Sequence, residues 1–148
     1  MRKLKYKIVK ANGQSAMIHS KSPYCLSYVI GSNTIAPEGT QGIMVFKTLG
    51  EAVHWWERSW VDKRSFKVFR VSPIGDGFTP KFVSYDVRTV CIRMFNRWLR
   101  ESESGLYPWG CQYAASPISG TMCYPAVYVD SEVDHIEDIP VYKDIGGF

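Results

Sequence analysis

Nowhere does this chain approach the roughly 18 uninterrupted apolar residues that a membrane helix needs, so no membrane partner is expected. The basic start, Met1-Arg2-Lys3-Leu4-Lys5-Tyr6-Lys7, leads into no apolar signal core, which points away from secretion and toward the cytoplasm. Cysteine is sparse. Cys25, Cys91, Cys111 and Cys123 are widely spaced, and without an export signal they read as free buried thiols rather than as a disulfide framework. With His19, His54 and His135 they form no Cys-x-x-Cys, His-x-x-x-His or Cys-x-x-His spacing. Zinc requires converging ligands, so neither a metal nor another cofactor is expected.

Catalytic signatures are missing as well. There is no nucleophile-elbow pattern, and Cys111 and Cys123 read as small apolar fillers ahead of thiolates activated by a histidine. Asp130, Glu132, Asp134, Glu137 and Asp138 could supply a catalytic carboxylate, but five like charges so close together read first as a solvated face or a partner for basic residues. They lack the regular oxygen-ligand spacing of a calcium loop. Binding therefore ranks above catalysis.

Present in quantity are aromatic residues and an uneven charge. The 148 residues include five Trp, nine Tyr and seven Phe, enough for a thick core and a surface site. Charged residues are 22% and hydrophobic ones 45%, the composition of a globular chain, and no repeat or linker divides residues 1–148, so one domain is expected. Residues 1–100 hold 17 Lys+Arg against 6 Asp+Glu, whereas residues 101–148 hold 1 against 8. Such polarity either steers an anionic partner to the first part or is neutralised when the acidic part folds back, within the chain or in a neighbouring copy.

Periodicity predicts an α+β fold, an antiparallel-dominated sheet of about six strands with two main helices on one face. Leu4, Tyr6 and Ile8 alternate with Lys3, Lys5 and Lys7, the pattern of a strand with one buried face and one wet, basic face. Asn12-Gly13 predicts a hairpin into a second strand over residues 14–19, and a third strand alternates through Tyr24, Leu26, Tyr28 and Ile30. Thr34–Ala36 adds a short piece, and Ile43–Phe46 a short central strand. Thr48-Leu49-Gly50-Glu51 has the form of a capping box, opening a helix that should end near Trp60–Asp62. Phe66–Val71 is a strand closed by Ser72-Pro73. A second helix is predicted from Ser84 or Asp86 to Ser102, with Val87, Val90, Cys91, Met94, Phe95, Trp98 and Leu99 on one arc. Leu106–Tyr124 reads as a long aromatic loop, Ala126–Val129 as a returning strand, and Ile139–Tyr142 as an edge strand.

Two constellations suit an anion. Arg93, Arg97 and Arg100 are neighbours on the second helix, and Lys67 and Arg70 stand on the preceding strand; guanidinium groups grip phosphate bidentately. Trp109, Tyr113 and Tyr124 in the aromatic loop could wall a pocket, form a subunit interface or plug the sheet.

The segment Gly42-Ile43-Met44-Val45-Phe46-Lys47-Thr48, with Glu51-Ala52 and Phe66-Lys67-Val68-Phe69-Arg70-Val71, resembles a pattern in small bacteriophage-encoded proteins of unassigned role, over about 30 residues. That resemblance implies an accessory or counter-defence protein of the host cytoplasm, including the kind that sequesters nucleotide signals. The strand–helix–strand order is also similar to ADP-ribosyltransferase-like folds, whose Arg, Ser-Thr-Ser and Glu-x-Glu motifs have no match here. The leading expectation is a non-catalytic binder of a phosphate-bearing small ligand. A protein-binding inhibitor of a host or defence protein comes next, and an ADP-ribosyl or phosphodiester enzyme third. Nucleic acid, contacted through Lys3, Lys5 and Lys7, ranks below the small anion as a partner, and a second copy of the chain is a further candidate.

Overall fold

Asn12 and Gly13 turn the chain as their chemistry predicts. Gly13 takes a φ of 85°, Lys10 and Gln14 close the turn with a backbone hydrogen bond of 2.8 Å, and Asn12 Oδ1 accepts from Gln14 N–H. The turn belongs to a computed structural model that describes residues 3–16, 20–21, 24–38, 40, 42–58, 65–80, 83–84, 114–115 and 119–134 (backbone alone for 55–58, 83–84 and 114–115).

Nine elements are described: β1 (Lys5–Lys10), β2 (Asn33–Ile35), β3 (Ile43–Phe46), α1 (Leu49–Arg58), β4 (Phe66–Ile74), β5 (Val83–Ser84), β6 (Ala114–Ala115), β7 (Thr121–Tyr124) and β8 (Ala126–Glu132). Six strands form one antiparallel sheet in the order β2-β8-β4-β1-β3-β7, while β5 and β6 form a separate two-stranded ladder. The predicted antiparallel sheet of six strands is present. Among the described residues there is one short helix rather than two, so the described fold is mainly β. The helix predicted up to Ser102 and the strand at Ile139–Tyr142 lie outside the described residues, although Ser84 itself belongs to β5.

One half of the capping box forms, as Glu51 N–H donates to Thr48 Oγ1 at 3.2 Å, while the Glu51 carboxylate accepts from the Thr48 hydroxyl at 2.8 Å. Helix α1 lays Leu49, Ala52 and Val53 on Tyr6 and Ile8 of β1, Phe46 of β3 and Val68 of β4. The other face of the sheet is also covered. There Val9, Val45, Phe69, Val71, Val127 and Val129 pack under Leu26, Tyr28 and Ala36. Cys25 and Cys123 are free thiols.

Covering on both faces overturns the wet basic face expected of the first strand. Lys5 is 7% exposed and Lys7 is 9% exposed. Alternation did mark the two faces, but charge did not mark solvent. The segment 24–36 lies over the side that the lysines share with Val9, and a sequence pattern cannot show a second covering layer.

Other boundaries shift for local reasons. Strand β4 runs through Ser72 and Pro73 to Ile74 instead of closing there. Its neighbour β1 ends at Lys5, opposite Val71, so beyond that point β4 is an edge on this side and the missing proline N–H goes unused. The predicted aromatic loop includes strand at Thr121–Tyr124, paired with β3 from Ile43↔Tyr124 to Phe46↔Thr121. Strand β3 is thus interior but one place from the edge. The predicted third strand is reduced to a bridge at Gln14↔Ser27, and Val29 and Ile30 are exposed.

Candidate functional site

Strand β4 carries two of the residues predicted to hold an anion, and β8 occupies both. Between Arg70↔Ser131 and Val71↔Val129 one step on β4 faces two on β8, so Asp130 is the extra residue of a bulge. The bulge resets the alternation of β8. Glu132 then faces Phe69 and reaches Lys67, whose Nζ lies 3.6 Å from Glu132 Oε1 and 4.9 Å from the centre of the Phe69 ring. Arg70 Nη1 donates to the Glu132 carbonyl at 2.9 Å and to Ser131 Oγ at 3.4 Å. Here the acidic segment does fold back on the basic strand. Lys67 and Arg70, three residues apart with no bulge between them on β4, point to opposite faces.

Tyr124 is on β7, three strands from β4, or about 14 Å away. Its ring packs on Gly77, where an added Cβ would collide with it. The loop after β4 also bridges β7 through Phe78↔Cys123, so it sits on that edge of the sheet. The structure therefore does not bring Lys67, Arg70 and Tyr124 together. Arg93, Arg97, Arg100, Trp109 and Tyr113 lie outside the described residues.

The thiol of Cys123 is an unpromising nucleophile. Burial pushes it up to about 12, only partly opposed by the Lys7 ammonium, so it stays protonated at neutral pH. Lys7 itself is pulled down to about 8 by burial. Its Nζ donates to the Met44 carbonyl at 2.8 Å and lies 5.6 Å from the centre of the Tyr28 ring. Burial, then Lys3 and Lys47, pull Lys5 down, with Glu51 opposing. Among the described residues no group of three or more His, Cys, Asp or Glu could hold a metal, and no helix is long and apolar enough to cross a membrane.

A different place offers the geometry of a site. A cavity of about 370 Å³ is lined by Lys3, Asn33, Ser72, Pro73, Ile74 and Tyr128. The registers Asn33↔Tyr128 and Ser72↔Tyr128 align three polar side chains in one row across β2, β8 and β4. Cross-strand partners share a face, so the row presents an amide, a phenol and a hydroxyl side by side. Tyr128 alternates with Val127 and Val129, which pack on the opposite side, and so the row faces the same side as α1. Helix α1 packs on β1 and β3, at the other end of the sheet. Lys3, just ahead of β1, adds a cation.

Ser72 is the distinctive member. It is 7% exposed, and its Oγ has no hydrogen-bond partner among the described residues. A buried hydroxyl left unpaired costs about 1–3 kcal/mol, so it is seldom present without a use. Nothing in the sequence flagged this row: Ser72-Pro73 reads as the end of a strand and Asn33 as a turn. Register brings them together, and register is not visible along one chain.

Comparison with known proteins finds no family model, no curated protein and no solved structure that matches this chain.

Proposed function

We propose that this protein is a non-catalytic binder of a small phosphate-bearing ligand, held in the cavity of Lys3, Asn33, Ser72 and Tyr128. The observation that carries the reading is Ser72 Oγ, a buried donor with no hydrogen-bond partner among the described residues, at the wall of a cavity that also holds a lysine and an amide. The ammonium and the hydroxyl donate to phosphate oxygens, and the amide can pair with a polar group elsewhere on the ligand. The described lining residues, Lys3, Asn33, Ser72, Pro73, Ile74 and Tyr128, offer hydrogen-bonding groups beside apolar ones, which suits holding a ligand. The volume lies at the small end of ligand pockets. Arg93, Arg97, Arg100, Trp109 and Tyr113 remain candidates for outer contacts to the body of the ligand, away from the phosphate on Lys3. A counter-defence role, which the resemblance to phage-encoded proteins implies, would make that ligand a host nucleotide signal.

Thermal or chemical unfolding in the presence of inorganic phosphate, nucleoside monophosphates and cyclic nucleotides tests this. A true ligand at a hundredfold excess over its Kd adds about 2.7 kcal/mol of stability. Lys3→Gln and Ser72→Ala should each abolish the gain. No stabilisation by any phosphate compound would overturn the reading.

One observation favours a second reading, a protein-binding inhibitor. Val29, Ile30 and Ile35 are exposed on and beside β2, an edge strand, and exposed apolar residues at a sheet edge suit a protein partner. Val29→Asp with Ile30→Asp should then weaken capture of one stoichiometric partner and leave small-molecule binding intact.

A further inference from the structure

Next to the polar row runs a second one. The registers Ile35↔Ala126 and Ile74↔Ala126 align Ile35, Ala126 and Ile74 across the same three strands, two residues along from Asn33, Tyr128 and Ser72. Both rows therefore face one side of the sheet. Ile35 is 71% exposed and Ile74 is 40% exposed, and Ile74 lines the cavity. The floor is thus a strip of hydrogen-bonding groups beside a strip of aliphatic ones. Strand spacing makes it about 10 Å across, and the rows are about 7 Å apart.

Such a floor matches a particular shape of ligand. A bare phosphate would use the polar strip and leave Ile74 and Ile35 wet. Among the described lining residues Lys3 is the one cation, which suits a single phosphate better than a polyphosphate. A flat ring joined to one phosphate would use both strips, and the half-buried Tyr128 ring between its neighbours offers an edge or face to it. We infer that the cavity takes an aromatic phosphate monoester of nucleoside-monophosphate size or smaller, its phosphate on Lys3 and Ser72 and its ring over Ile74 toward Ala126 and Ile35. The inference rests on the proposed anion site and adds the chemistry of the body attached to the anion. Asn33, at the far end of the polar row from Ser72, then meets a polar edge of the ring and favours a heteroaromatic base over a plain phenyl group.

Calorimetric titration of the whole chain with inorganic phosphate, phenyl phosphate, adenosine 5′-monophosphate and adenosine 5′-triphosphate separates the possibilities. The expected order places adenosine monophosphate and phenyl phosphate at least about tenfold tighter than inorganic phosphate, the effect of burying roughly half of one ring. The triphosphate should bind no better than the monophosphate. Ile35→Ser, at a position too exposed to disturb folding, and Ile74→Ser should each remove most of that advantage while leaving inorganic phosphate unchanged. Equal affinity for inorganic phosphate and the aromatic esters, or an advantage that survives both serine variants, would overturn the inference and leave the anion site standing. Absence of binding by all four compounds would overturn the anion site itself, and the inference with it.

Discussion

The ammonium of Lys7 donates to the carbonyl of Met44 across a seam where β1 and β3 share a single register pair, Tyr6↔Phe46. Beyond that pair the same edge of β1 turns to the hairpin, at Val9↔Ser15. Lys7 lies where the two partners part, and its side chain supplies a donor that the ladder does not. The cost is a buried charge. With Lys7 near 8 in the fold and near 10.5 when unfolded, the native state loses its proton first as pH rises. Between these values the unfolded chain binds more protons, so stability increases with pH, at up to about 1.4 kcal/mol per pH unit. Well below pH 8 both states hold the proton and the penalty is constant. Cys123 and Tyr28 act in the opposite sense, since burial raises both and each favours the unfolded state once it ionises there, from about pH 9 for the thiol and pH 10 for the phenol. Denaturant unfolding should therefore show stability rising by about 1 kcal/mol from pH 8 to 9 and then levelling or falling. In Lys7→Met the rise should shrink to whatever the lowered Lys5 contributes. A wild-type profile as flat as that of the variant would mean that Lys7 keeps a normal, solvated charge.

Ser72→Ala should stabilise the ligand-free protein. Removing a buried hydroxyl that has no hydrogen-bond partner among the described residues recovers part of its desolvation cost, about 1 kcal/mol. Urea unfolding of the two proteins measures the difference. A loss above about 1 kcal/mol would show instead that the hydroxyl makes a hydrogen bond on which the fold depends.

Legibility of the fold from sequence followed the range of the interactions. The Asn12-Gly13 turn and the Thr48–Glu51 cap depend on neighbours a few residues away, and Ile43–Phe46 shows as an unbroken apolar run whatever its partners, so each is readable. The burial of Lys7 is not legible because it depends on Tyr28, brought over the sheet by a long excursion. Thr121–Tyr124 was hidden for a similar reason: its partner strand lies some 75 residues earlier, and Pro117, Gly120 and Pro125 give the segment the composition of a loop. The candidate cavity was the least legible feature. Asn33, Ser72 and Tyr128 are unremarkable apart, and only the pairing of β2 and β4 with β8 makes them a row.

Lys67 and Arg70 should differ in what they contribute to stability. The Lys67–Glu132 pair is partly exposed, and such pairs are worth at most about 1 kcal/mol. Arg70 instead holds a backbone carbonyl and Ser131 Oγ beside the bulge at Asp130, contacts that a charge reversal elsewhere cannot replace. Lys67→Ala should cost less than about 1 kcal/mol, with part of that loss disappearing in high salt. Arg70→Ala should cost about 1–2 kcal/mol and be much less sensitive to salt. Equal costs with equal salt dependence would indicate that Arg70, too, acts chiefly as a surface charge.

Tyr124 is expected to act through packing, and Gly77 gives the means to show it. A methyl group at Gly77 would occupy the space of the Tyr124 ring, so Gly77→Ala must push either the ring or the loop after β4 aside. That loop is tied to β7 by paired backbone hydrogen bonds between Phe78 and Cys123, of 3.1 and 2.8 Å, and by Thr79 Oγ1 to the Met122 sulfur. Displacing it would strain those bonds, and Gly77→Ala should cost about 1–3 kcal/mol. Tyr124→Ala alone should also destabilise, by lost burial. Combined, the two changes should cost less than their sum, because the methyl group then enters space the ring has vacated. A double-mutant cycle in thermal or urea unfolding measures this coupling. Additive costs would separate the ring from the loop, and a loss of ligand binding in Tyr124→Ala at unchanged stability would return Tyr124 to the binding role expected of it from sequence.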